Sequence, residues 1–234
     1  MNVSDWPVIH SKDELVSLVN EIGLLPFFGN KVPGWSLEEH IAPEAWYGGA
    51  WTGKVQWPAW EWKGDVAADR QLVYGKFFAG KAGFVSLEWF PDLCNYRRNG
   101  YDLDARYEDG LASRKEKELI DHLAKNGSML SKQLKRDLNY RKGGSSGFDT
   151  VVTRLMMQTY LTIVDFEYQR SRTTGEYYGW GVARYDTAEH WWGELCTAAY
   201  STDPETSRER IMDHIAKILP DADPGSVSRL IKYQ

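Results

Sequence analysis

The chain has 234 residues, of which 42% are hydrophobic, and its formal net charge is -5. The apolar content is sufficient for a sizeable core and excludes a disordered protein, and the length fits one large domain or two small ones. The acidic balance argues against a protein that coats nucleic acid non-specifically, because such binding depends on phosphate neutralisation and counterion release.

The sequence does not indicate a membrane protein or a metal-binding protein. No apolar run approaches the ~18 residues of a membrane span, and the N-terminus lacks the basic-then-apolar pattern of a signal peptide. Cys94 and Cys196 are far apart, and the five histidines show no metal-ligand spacing. We therefore expect a cytoplasmic protein with reduced thiols, no metal, no cofactor and no membrane contact.

The first predicted element is a helix near the N-terminus. Ser11 and Glu14 form a capping-box pattern, and an apolar face from Leu15 to Ile22 follows before Gly23 ends the helix.

A tryptophan-rich stretch follows, and it is too irregular for one helix. Two interpretations compete: an aromatic mini-core, or a pocket whose rings stack on an extruded base, with Trp57, Trp60 and Trp62 as the stacking residues. The mini-core is favoured because tryptophan is usually well buried. Basic residues lie among or just after these aromatics and would suit single-stranded or flipped nucleotides, although lysine stems over apolar surface give the same pattern. They are Lys63, Lys76, Lys81, Arg97 and Arg98.

Glu61 is the one acidic residue of this stretch that we consider for catalysis. A carboxylate between two indoles can have a raised pKa and act as general acid or base. The competing interpretation places Glu61 on a short strand, where alternation points it outward.

Residues 113–185 predict three short helices followed by a β-hairpin, the order of elements in a winged helix. Ser113 and Glu116 form a capping box for the first helix, Ser131 caps a second over residues 132–138, and the third begins near Gly147. Residues 161–168 and 178–185 have β-type composition and flank a turn at 170–175. We expect the third helix of such a unit to enter the DNA major groove.

The local charge of this unit favours DNA as the partner. Nine basic residues and four acidic ones lie between positions 113 and 146, and two arginines occupy the hairpin turn. The predicted DNA-binding residues are Lys132, Lys135, Arg136, Arg141, Lys142, Thr153, Arg154, Arg170 and Arg172.

Two further helices are predicted after the winged unit. Thr206 and Glu209 form a capping-box pattern before an apolar face that ends at Pro220, and Asp223 and Pro224 start a last short helix. The fold class is therefore α+β, with a tryptophan-rich segment at 1–110, a winged-helix unit at 111–192 and C-terminal helices at 193–234. No polar linker separates these segments, so we expect them to share one core or to pack tightly.

Three stretches of the chain resemble the small AlkZ-related proteins, kin of the AlkZ/YcaQ DNA glycosylases. They are LLPFFGNKVPGW (residues 24–35), VYGKFFAGKAGFVSLEWFPDLCNYRRNGYDLDARYEDGL (73–111) and GFDTVVTRLMMQTYLTIVDFEY (147–168). The resemblance implies winged-helix architecture. It depends on a similar pattern of residues across these stretches and not on one diagnostic motif.

The resemblance also implies a candidate catalytic residue. The glycosylases of this kind use a Gln-x-Gln or Gln-x-Asp motif to position water at the glycosidic carbon. Here the nearest string is Met156-Met157-Gln158, and methionine cannot hold or polarise water as an amide can, so Gln158 alone carries over.

Three functions follow. The leading hypothesis is a winged-helix protein that binds duplex DNA and recognises damage in it. Catalysis by this protein is doubtful, because the first polar residue of the glycosylase motif is replaced by methionine. The alternatives are an active glycosylase that uses Gln158 or Glu61, and a non-enzymatic module that binds a protein partner and never contacts DNA.

Overall fold

The computed structural model describes residues 5–46 and 58–233. It is a mixed helical and sheet structure, which agrees with the α+β class. Across these residues, no helix combines the length and the apolarity that crossing a membrane requires.

The N-terminal part builds a small sheet surrounded by helices. Its three strands run antiparallel in the order β1-β3-β2. Gly83 lies at the centre of this sheet, where a β-carbon would come within 2.7 Å of the Leu25 carbonyl oxygen. The elements are α1 (Lys12–Ile22), β1 (Leu24–Pro26), α2 (Leu37–His40), α3 (Pro43–Trp46), α4 (Pro58–Ala68), β2 (Val73–Phe78), β3 (Lys81–Val85), α5 (Phe90–Arg98) and α6 (Leu103–Glu108).

The middle part contains three helices and a second antiparallel sheet, whose strand order is β4-β6-β5. The short strand between the first two helices pairs with the last strand of the hairpin. The elements are α7 (Arg114–Asn126), β4 (Met129–Leu130), α8 (Ser131–Asp137), α9 (Phe148–Met157), β5 (Leu161–Arg170) and β6 (Tyr177–Thr187).

Local sequence explains where α7 and α9 lie. In α7 the capping box is present in both directions: Ser113 Oγ accepts from the Glu116 backbone N–H, and the Glu116 carboxylate accepts from the Ser113 N–H. In α9 the apolar positions Val151, Val152 and Leu155 recur at helical spacing and are buried. These helices therefore pack one face into the core.

Three local predictions were wrong. Ser131 is the first residue of α8 rather than its cap, because Leu130 is still extended and its N–H donates to the Gln133 side chain. The helix predicted to start at Thr206 begins earlier, since Asp203 caps it and Pro204 occupies its first turn. Glu61 lies in α4 and not on a strand.

The C-terminal part consists of helices that pack back onto the N-terminal part. These helices are α10 (Ala188–Trp192), α11 (Pro204–Ile218) and α12 (Pro224–Ile231). A 3-10 turn at Gly193–Cys196 follows α10. Helix α11 packs mainly on α5, and α12 contacts α11 and β2.

The hydrophobic core is one contiguous cluster that draws on all three parts, with Trp35, Leu155 and Ile211 as examples. A buried arginine joins the same three parts. The Arg97 guanidinium donates to the carbonyls of Phe77 (2.5 Å), Met157 (2.9 Å) and Ile231 (2.9 Å). One side chain of α5 thus holds β2, α9 and α12 together.

Candidate nucleic-acid interface

One side of the outward face of α9 is open to solvent. Thr150 and Arg154 are exposed there, and the Arg154 side chain is 51% accessible. A nitrogen of the Arg154 guanidinium lies 3.6 Å from an oxygen of the buried Glu116 carboxylate. The arginine is therefore oriented by α7 and still accessible to an external anion.

The other side of the same face, which carries Thr153 and Met157, is covered by the turn between β2 and β3. Lys76 Nζ donates to Thr153 Oγ1 at 3.0 Å, and a β-carbon on Gly80 would contact both the Thr153 methyl and the Met157 sulfur. The Ala79 N–H donates to the α12 carbonyl of Leu230. Thr153, a predicted DNA-binding residue, thus has an internal partner.

A cleft of about 710 Å³ runs along α9, and we call it the α9 cleft. Arg154, Arg229 and Lys232 contribute positive charge to it, and Asp149 contributes one negative charge. Arg229 and Lys232 were missed by the sequence analysis, although the helical periodicity that buries Val227, Leu230 and Ile231 leaves Arg229 exposed, and Lys232 directly follows the helix. The lining residues are Ala79, Asp149, Thr150, Thr153, Arg154, Met157, Arg229, Lys232 and Tyr233.

The predicted basic residues of α8 differ in how free they are. Lys132 is exposed. Lys135 Nζ lies 3.5 Å from the Asp149 carboxylate and above the Phe148 ring, and Arg136 pairs with the adjacent Asp137 at 3.0 Å. Two of these three cations therefore already face an acidic group.

Beyond α8, the loop to α9 and the tip of the β5–β6 hairpin are solvent-facing. Arg141 and Lys142 are exposed in the loop, and Arg141 Nε donates to Asn139 Oδ1. Arg170 and Arg172 are exposed at the hairpin tip, where the Ser171 N–H closes the turn on the Glu176 carbonyl.

Gln158, the candidate catalytic residue, lies just after α9 and is buried at 1% exposure. Its Nε2 donates to the hydroxyl of Tyr233, near the end of the chain. Its Oε1 is buried and has no hydrogen-bond partner among residues 5–46 and 58–233. Arg106 lies over the Tyr233 ring at 5.6 Å. Gln158 is therefore covered rather than open to a substrate.

Glu61 is half-buried, and its Oε1 has no hydrogen-bond partner among the described residues. Burial and the interaction with Glu61 raise the pKa of the Tyr168 hydroxyl. Glu61 on α4 therefore lies near the hairpin strand β5. Neither Glu61 nor Gln158 is among the residues that line the α9 cleft.

The three candidate stacking tryptophans have different environments. Trp57 lies outside the described residues. Trp62 is 9% exposed and belongs to the core cluster. Trp60 is partly buried, with Lys63 Nζ 3.9 Å from the centroid of its ring and the exposed Trp180 in edge contact. Of the two candidates that the structure describes, Trp60 is thus the more exposed.

The cations near the aromatic stretch also separate into two groups. Arg97 and Arg98 are 3% and 1% exposed, and Arg98 donates to Thr159 and to the Glu189 carboxylate. Burial lowers the pKa of Arg97 to about 10, which leaves it charged at neutral pH. These two arginines bind groups of the core, and Arg97 also lines a cleft beside Tyr233, whereas Lys63, Lys76 and Lys81 line another cleft.

The sequence analysis did not predict one further polar pair, Asp186 and His190. His190 Nδ1 lies 2.7 Å from Asp186 Oδ2, which also accepts from the Ser128 hydroxyl, and Asp186 is fully buried while His190 is 65% exposed. The i,i+4 spacing of Asp186 and His190 was the available signal. Within residues 5–46 and 58–233, no three His, Cys, Asp or Glu side chains are grouped so that they could hold a metal ion.

The family comparison covers nearly the whole chain. A family model described as "AlkZ related" matches residues 9–232. We found no match among curated proteins and none among solved structures.

Proposed function

Because the chain belongs to the AlkZ-related family, we propose that it is a winged-helix protein that binds duplex DNA. The observation that carries this proposal is the succession α7, β4, α8, α9, β5 and β6 with strand order β4-β6-β5. A winged helix has this arrangement, in which the third helix and the hairpin tip are the elements that contact DNA.

The proposed contact uses the open side of α9 and the hairpin tip. Arg154 on α9, Arg229 on α12 and Lys232 just after α12 put three positive charges along the α9 cleft. Arg170 and Arg172 add two more at the exposed tip. Such a local set of cations on an acidic chain suits selective contact with phosphates better than general coating.

The cover over one side of α9 limits how this helix can approach DNA. Thr153 is bound by Lys76, and Met157 lies against the turn at Gly80. We therefore infer that Thr150 and Arg154 approach the duplex, while Lys132, Arg141 and Lys142 supply phosphate contacts at the edge.

The test is a titration of a labelled duplex at two salt concentrations, monitored by fluorescence anisotropy. We expect affinity to fall steeply with salt, because each neutralised phosphate releases counterions. A duplex carrying alkylated bases is measured in parallel and tests recognition of damage. The Arg154→Ala variant should bind both duplexes more weakly, whereas Arg208→Ala, on α11, serves as the matched control. Absence of binding by the native protein at low salt contradicts the proposal.

A second candidate function is base excision through Gln158. The observation in its favour is the buried Oε1 of Gln158, which has no partner in the described part of the chain and is an acceptor of the kind that can orient water. Tyr233 would have to move for a nucleotide to reach it.

The test of this second function uses the Tyr233→Ala variant with alkylated duplex, followed by detection of abasic sites. If Gln158 positions the water, Tyr233→Ala forms abasic sites faster than the native chain, and the double variant Tyr233→Ala with Gln158→Ala forms none. Equal abasic-site yields with and without Gln158 rule out this mechanism.

A further inference from the structure

A second cleft, which we call the lysine cleft, opens between α4, the β2–β3 turn and the hairpin strands β5 and β6. Its volume is about 440 Å³, within the range of small-molecule sites. Five aromatic rings and three lysines line it. The lining residues are Phe28, Trp60, Lys63, Tyr74, Lys76, Gly80, Lys81, Ala82, Ile163, Phe166, Ala183 and Tyr185.

The charge of this cleft is opposite to that of the whole chain. Three lysines line it, and none of the lining residues that the structure describes is acidic, although the chain has a net charge of -5. The two acids of α4, Glu61 and Asp65, are not among these lining residues. The cleft is therefore an electropositive site with apolar walls, where an anion gains more than it would at an open surface.

Lys63 lies at the inner end of the cleft and is 1% exposed. Its Nζ lies 3.9 Å from the centroid of the Trp60 ring and 4.4 Å from that of Phe166. It donates to the Trp60 carbonyl, the one acceptor it has among the described residues. When Lys63 is protonated its ammonium group has three donors, so two of them remain for a ligand.

The other two lysines extend the positive charge from the interior to the rim. Lys76 Nζ is bound to Thr153 and so joins the lysine cleft to the α9 cleft. Lys81 is exposed, at the start of β3. The two clefts therefore meet at the β2–β3 turn.

We infer that the lysine cleft binds a single nucleotide, with its base against the aromatic rings and its phosphate on the lysines. Aromatic side chains stack on any nucleobase, and lysines bind phosphate as point charges. The same chemistry has two sources: an unpaired nucleotide within a DNA strand, or a free nucleoside monophosphate. This site goes beyond the proposed function, which places duplex contacts on α9 and the hairpin tip.

The experiment measures binding of a labelled single-stranded DNA pentamer by the full-length protein, with a free nucleoside monophosphate as competitor. The native chain should bind the pentamer. Two variants test the cleft: Lys81→Glu reverses the charge of an exposed rim residue, and Ala183→Phe fills the cleft without changing charge. The control is Lys217→Glu, which makes the same charge change at an exposed position on α11.

We expect at least tenfold weaker pentamer binding in Lys81→Glu and in Ala183→Phe, and no more than twofold weaker binding in Lys217→Glu. Competition by the monophosphate identifies a free nucleotide as a ligand, whereas its failure to compete assigns the site to an unpaired nucleotide within a strand. Lack of pentamer binding by the native chain, or equal binding by all three variants, overturns the inference.

The same variants are titrated with the duplex to separate this inference from the proposed function. Loss of pentamer binding with duplex binding intact supports a distinct nucleotide site. If the native chain binds the pentamer but no duplex, the result supports the nucleotide site in the lysine cleft and contradicts the proposed function.

Discussion

Tyr233 covers Gln158: the amide Nε2 of Gln158 donates to the Tyr233 hydroxyl at the base of the α9 cleft. A residue next to the end of the chain thus satisfies a buried polar group that follows the third helix of the central unit. This contact also determines whether the one amide carried over from the glycosylase motif can meet a substrate.

The Tyr233→Phe variant should be less stable than the native chain by about 1–2 kcal/mol. Removal of the hydroxyl leaves the buried Nε2 of Gln158 without an acceptor, and an unsatisfied buried donor costs about this much. The measurement is urea unfolding.

A double-mutant cycle provides the control for this prediction. Gln158→Leu removes the amide itself, so Tyr233→Phe should have little further effect in that background. Additive losses of unfolding free energy in the two single variants would show that the two side chains are not coupled.

The Arg97→Met variant should lose at least about 3 kcal/mol of unfolding free energy, because three buried carbonyls lose their donor at once. The matched control is Arg208→Met. Arg208 pairs with Glu205 near the surface, where ion pairs contribute less than about 1 kcal/mol. Similar urea midpoints for the two variants would contradict a central role for Arg97.

The double variant Arg170→Ala, Arg172→Ala should bind duplex DNA more weakly and with a shallower salt dependence. Each lost phosphate contact lowers the slope of log affinity against log salt by about 1, so the slope should fall by up to about 2. Anisotropy titrations at four salt concentrations measure it. An unchanged slope would remove the hairpin tip from the interface.

The stability of the protein should increase with pH from about 7 to 9. Burial lowers the pKa of Lys63 from 10.5 to about 7, and Glu61 opposes this shift. In this interval the unfolded chain keeps the Lys63 proton that the folded chain releases, so raising the pH favours the folded state, by at most about 1.4 kcal/mol per pH unit. Lys76, Lys81, Tyr74 and Tyr185 also line the cleft, and the raised pKa values of the two tyrosines keep them protonated over this range.

The control for this pH dependence is Lys63→Met, which should be more stable than the native chain at pH 7 and show a flatter profile between pH 7 and 9. Urea unfolding at pH 7, 8 and 9 measures both chains. Parallel profiles for the two chains would mean that Lys63 does not titrate in this interval.

The local sequence was sufficient to predict most of the elements. Capping residues and apolar periodicity predict α1, α7 and α9, because these signals act within a few residues of one another. The same local signals failed at α11, where Asp203 and Pro204 outweighed Thr206. Alternation around Glu61 predicts a short strand, whereas this residue lies in α4, a helix whose Trp62 packs into the core.

The sequence by itself also determined the family and the basic character of the central unit, since both depend on residue identity along the chain. Only the tertiary structure decided which of those residues are free to act. Arg97 and Lys63 both follow the aromatic stretch, yet the first holds three carbonyls in the core and the second faces a cleft. The physical reason is that burial, pairing and access depend on contacts between residues distant in sequence, such as Gln158 with Tyr233 and Lys76 with Thr153.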